Sequence, residues 1–71
     1  MINSGKVKGR IVELGLNQAD VAKAIGMAQP TFNQKVNNIR PMDLDEAEKL
    51  AMVLKILPEE YNLYFFYTPV A

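Results

Sequence analysis

The 71-residue sequence predicts an all-α fold, a small domain of five short helices, on three observations. Apolar residues recur three and four positions apart, the spacing that lines one face of a helix. A capping residue or a proline stands where each run begins, and glycine closes the first two. Ser4 is placed to cap a first helix carrying Val7, Ile11 and Leu14, with Gly15 as its stop. Gly5 and Gly9 weaken that helix, since each costs about 1 kcal/mol against alanine. Asn17 caps a second helix, with Asp20 in its first turn, where a negative charge suits the dipole. A third begins near Gln29, and Pro30 is tolerated there because first-turn amides lack partners within the helix. Asp43 and Glu46, spaced as a capping box, open a fourth whose Leu44, Ala47, Leu50, Ala51 and Leu54 form a broad apolar face. Pro58-Glu59-Glu60 reads as the first turn of a fifth, although the aromatics of Leu63 to Tyr67 also suit a strand.

Residues 17–38 carry the most information, because they read as two short helices set against each other by one glycine. Val21 and Ile25 share a face of the second helix, and Ala22 beside them is small enough for the third to pass close by. Gly26 can take the left-handed backbone conformation that ends the helix. Phe32 and Val36 form the buried side of the third helix, which leaves Gln29, Asn33, Gln34 and Asn37 facing outward. Amide side chains present a donor and an acceptor together, the pairing that reads the edge of adenine in a major groove.

At these residues the sequence resembles the helix-turn-helix proteins of the Cro and lambda-repressor type, and among them the small proteins encoded by temperate phages of Gram-positive bacteria. Gln18 opens the motif, Ala22 holds its small fifth position, Gly26 its turn, and Val21, Ile25 and Phe32 its apolar positions. A more local likeness runs from Thr31 to Asn38 and continues through Arg40-Pro41, Leu44, Glu46 and Phe65-Phe66, so the resemblance covers residues 5 to 66. One departure is Lys35, which falls where many relatives carry an apolar residue, that role passing to Val36. The resemblance implies a lambda-repressor-like domain and a sequence-specific regulator of transcription on double-stranded operator DNA. Its phage members also include modulators of repression, which act with or against a partner repressor.

Length agrees with a single domain over residues 1–71, whose expected net stability is about 4 to 10 kcal/mol. Cysteine and histidine are both absent, which removes disulfides, thiolate nucleophiles, imidazole bases and the usual zinc sites. Asp43, Asp45, Glu46 and Glu48 resemble a carboxylate cluster, but two serve a helix start and the others suit a solvated face. A catalytic pair would also need a cleft that five short helices can hardly enclose. The expectation is a protein that is not an enzyme and has no metal, no cofactor and no small-molecule ligand. No apolar run approaches the roughly 20 residues that cross a bilayer, and Met1 to Arg10 lacks the apolar core of a signal peptide, so a cytoplasmic location is expected.

The formal net charge is zero, yet its two halves differ. Residues 1–40 hold six basic side chains against two acidic ones, a net +4, and residues 41–71 hold two against six, a net −4. The first half could turn a modestly basic face to phosphates, or the sorting could be chance on a solvated surface. In the DNA-reading alternative Gln29, Asn33, Gln34 and Asn37 meet base edges. Gln18 and the amino end of the second helix hold a phosphate there, and Lys35, Asn38 and Arg40 clamp the flanking backbone. A homodimer on DNA is expected, because one short helix buries little surface. The other alternative is a heterodimer with a phage repressor, favoured by zero charge, an amide row without arginine and an aromatic carboxyl end.

That end, residues 58–67, holds Tyr61, Tyr64, Phe65, Phe66 and Tyr67, five of six aromatics in the chain. Leu63 and Phe66 close the base of the core while the tyrosines cover it, or Tyr61, Tyr64, Phe65 and Tyr67 supply an oligomer or partner interface, and both can hold on different faces of one short helix. Residues 68–71 carry no signal and are expected to be disordered.

Overall fold

The structure, a computed structural model, describes residues 1–66. Five α-helices follow one another: α1 (Ser4–Glu13), α2 (Gln18–Ala24), α3 (Gln29–Val36), α4 (Leu44–Leu54) and α5 (Tyr61–Tyr64), the last entered through a 3-10 turn, Pro58–Glu60. There is no strand among the described residues, and Leu63 lies in a helix. No described helix is long and apolar enough to cross a membrane. The expectations for Tyr67 and for residues 68–71 fall outside the described residues.

Helix starts follow their local chemistry in all but one case. Asn17 Oδ1 accepts from the Asp20 N–H at 2.8 Å while Asp20 Oδ2 accepts from the Asn17 N–H at 3.2 Å, a reciprocal cap. Asp43 and Glu46 repeat the arrangement at the start of α4. At α1 the cap is Asn3, not Ser4: Asn3 Oδ1 accepts from the Lys6 N–H at 3.2 Å. The reason lies elsewhere in the chain, because the Asn3 N–H donates to the Tyr64 carbonyl at 2.8 Å and so fixes where the helix begins.

Four helices end in one way, with a residue in the left-handed region and the next N–H reaching back five positions. Gly15 and Gly26, both at φ +72°, do this after α1 and α2. Asn38 at φ +63° and Lys55 at φ +56° do it after α3 and α4, where no glycine marks the stop. The bonds are Leu16 to Ile11, Met27 to Ala22, Ile39 to Gln34 and Ile56 to Ala51, each N–H to carbonyl at 2.8–3.0 Å. Asparagine tolerates this conformation through local hydrogen bonding, whereas at lysine it is strained.

The core unites Val7 and Ile11 of α1, Val21, Ala22 and the following Ile25, Phe32 and Val36 of α3, and Ala47, Leu50, Ala51 and Leu54 of α4. Ile2, Ile56, Tyr64 and Phe65 complete it. Leu44 does not belong to it: as the first residue of α4 it projects from the helix end and is exposed. The aromatic end also differs from expectation. Tyr64 and Phe65 are buried, and Leu63 and Phe66 are 52% and 56% exposed. In so short a helix only positions three and four apart share a face, so Tyr61, Tyr64 and Phe65 turn inward together. The Tyr61 and Phe65 rings meet edge to face at 5.7 Å between centroids. Lys6 Nζ lies 5.1 Å above the Tyr64 ring.

Candidate nucleic-acid interface

Helices α2 and α3 form a helix, a turn and a helix, and α3 is held from beneath by Phe32 and Val36, both fully buried. This sets the rotation of α3, and with it the fate of every polar side chain proposed for its outer face. Gln29 and Gln34 are exposed, and their amides have no side-chain partner among the described residues. They lie five positions apart, about 7.5 Å along the axis, a span of roughly two base-pair steps. Gln18 is half-buried at the start of α2.

Asn33 and Asn37 behave differently from that pair. Asn33 is only partly exposed, and its Oδ1 is buried without a hydrogen-bond partner, so its oxygen faces inward instead of toward a groove. Asn37 is exposed, but its Oδ1 already accepts from Ser4 Oγ at 3.0 Å and Lys8 Nζ at 2.7 Å. It ties the end of α3 to α1.

Two of the expected phosphate contacts are also spent inside the molecule. Lys35 Nζ is bound to Glu46 Oε2, and the two side chains are 13% and 21% exposed. The sequence departure at Lys35 thus has a structural use, joining α3 to the first turn of α4. Asn38 clamps the backbone at Ile2 in both directions: Oδ1 accepts from the Ile2 N–H at 2.8 Å and Nδ2 donates to the Ile2 carbonyl at 2.9 Å. Arg40 is exposed, with no side-chain hydrogen bond or ion pair among the described residues.

The basic side chains of the first half are largely committed. Lys6 covers Tyr64, Lys8 binds Asn37, Lys35 binds Glu46, and Arg10 donates to the Leu54 carbonyl and to Glu13, both at 2.9 Å. Lys23 and Arg40 remain as the cations of residues 1–40 without a side-chain partner among the described residues. Helical period does not single out the clamps at Asn37 and Asn38. The one signal in the sequence is Asn38 itself, since asparagine is the usual substitute for glycine at a left-handed helix stop.

Glu46 accepts at both carboxylate oxygens, and its pKa is lowered from the ordinary 4.5. The hydrogen bond from Lys35 is the main cause; burial opposes it, and the Asp43 N–H and the charges of Lys35 and Arg40 add to it. A depressed carboxylate pKa stabilises the fold at pH values above that of the unfolded chain, and the benefit is lost as pH falls through the folded value. The melting temperature should therefore decline as pH is lowered below about 4.5, and Glu46→Gln should flatten part of that decline. Parallel melting curves against pH for both proteins would reject the coupling.

No protein-family model and no curated protein matches the chain.

Proposed function

We propose that the protein is a DNA-binding regulator of transcription of the phage Cro or repressor type, reading the major groove with α3 and acting in the cytoplasm as a homodimer on its operator. The observation that carries this reading is the pair Gln29 and Gln34, exposed and uncommitted on a helix whose rotation is locked by Phe32 and Val36. Each can offer a donor and an acceptor to adenine. Gln18, Lys23 and Arg40 are the groups left to meet phosphates. With about two cations per copy, the slope of log affinity against log salt should be shallow, on the order of −2 per copy. Leu63 and Phe66 are among the exposed apolar residues available to join two copies.

A test replaces Gln29 or Gln34 by alanine and compares the preferred operator with random duplex. Each variant should lose about 1 to 3 kcal/mol on the operator and almost nothing on random DNA. Equal losses on both would remove the base-reading role.

A second reading has its own support: a modulator of repression that docks on a partner repressor through protein contacts. Of the six basic side chains in residues 1–40, Arg10 and Lys35 are paired with carboxylates and Lys6 and Lys8 are held against Tyr64 and Asn37, which reduces the charge free to move onto a duplex. Titration of the protein with operator DNA and with a purified repressor, each over a range of salt, separates the two. Salt-insensitive binding to the repressor together with no binding to DNA selects the modulator.

A further inference from the structure

A groove and a plug of matching chemistry lie side by side in residues 38–45. The groove, about 370 Å³, is lined by Met1, Ile2, residues 38–42 and Phe65. Its two walls come from distant parts of the chain and are held together by the reciprocal bonds between Asn38 and Ile2, so it is formed before anything enters it. Polar and apolar atoms share its lining about equally, with Met1, Ile2, Ile39, Pro41, Met42 and Phe65 set around Asn38 and Arg40, and Arg40 is the charged side chain among them. On the rim Ile39 is 71% exposed.

Immediately beyond stands Asp43-Leu44-Asp45, the start of α4. Leu44 is 62% exposed. Asp43 is occupied as the helix cap, whereas Asp45 is exposed and has no partner among the described residues. The patch therefore holds a half-polar groove with an exposed cation, whose charge also reaches Glu46, beside an apolar plug with an exposed anion. A surface that contains both halves of a contact closes on itself about a two-fold axis.

We propose that, away from DNA, two copies of the chain pair through residues 39–45, with Leu44 of each seated in the groove of the other and Asp45 of each against Arg40 of the other. This contact does not use the exposed Leu63 or Phe66. It engages the guanidinium that the DNA reading places on a phosphate, so self-pairing and duplex binding compete for Arg40. The patch is small and its ion pairs are at the rim, so the dimer is weak and sensitive to salt.

Sedimentation equilibrium of the full chain without DNA tests the pairing independently of any duplex affinity. The parent should dimerise with rising concentration, and less so as salt is raised. Arg40→Glu and Asp45→Arg each place like charges across the axis and should weaken the dimer by at least about tenfold, while thermal melts verify that both variants are folded. An equimolar mixture of the two should associate again, because a heterodimer restores both ion pairs, one of them with reversed polarity. The proposal is overturned if the parent stays monomeric, if either variant dimerises like the parent, or if the mixture associates no better than its components. It is equally overturned if Leu63→Ser alone abolishes the dimer, which would place association at α5.

Discussion

Replacing Phe32 by alanine should leave the chain largely unfolded at ordinary temperatures. Its ring is fully buried and is the largest side chain to be so, at the point where α3 meets the rest of the core. Removing a buried phenylalanine costs about 3 to 5 kcal/mol, part from lost transfer energy and part from the cavity left behind. A domain of this length has only about 4 to 10 kcal/mol in total. The outer face of α3 depends on the same contact, since the rotation that exposes Gln29 and Gln34 is the one that buries Phe32 and Val36. A cooperative thermal melt within a few degrees of the parent would show that this packing does not hold the domain together. Phe32→Leu, which refills most of the volume, should recover much of the loss.

The second large effect is expected at Asn38. Alanine there removes two hydrogen bonds to the Ile2 backbone, each contributing about 0.5 to 1.5 kcal/mol. It also places a residue with a Cβ and no compensating polar group at φ +63°, at a cost of about 1 kcal/mol or more. The sum is roughly 2 to 4 kcal/mol. Asn38→Gly separates the two contributions, because glycine adopts that backbone angle without strain yet cannot bond Ile2. Glycine should thus be less destabilising than alanine, and in both variants the Ile2 amide should lose its protection from hydrogen exchange. If chemical denaturation puts Asn38→Ala within about 0.5 kcal/mol of the parent, the clamp contributes nothing to the fold.

Elements with local causes are legible in the order of the amino acids. The reciprocal caps at Asn17 with Asp20 and at Asp43 with Glu46, the stops at Gly15 and Gly26, and the proline starts of α3 and the last turn all lie within four residues of the groups they act on. The buried pairs Val21 with Ile25 and Phe32 with Val36 follow from the helical period alone. That same period makes every polar side chain on the outer side of α3 a neighbour of solvent, and there it misleads. Lys35, Asn37 and Asn38 are polar and near the surface, yet each is bound to a group in another element.

The amino-acid order thus sufficed to establish an all-helical domain, the place of its turn, and the residues of α3 that face the core. It also set aside thiol and imidazole chemistry, because those side chains are absent. Local propensity and period act over one or two turns, and these features need nothing longer. Folding decided which of the eight polar side chains expected at the outer face are left without an internal partner. An amide can read a base, accept from a lysine or clamp a distant peptide with the same two atoms. Which of these it does depends on what is brought opposite it. For Asn38 that is Ile2, 36 positions away, a separation over which no sequence period acts and which only the packed core brings within hydrogen-bond reach.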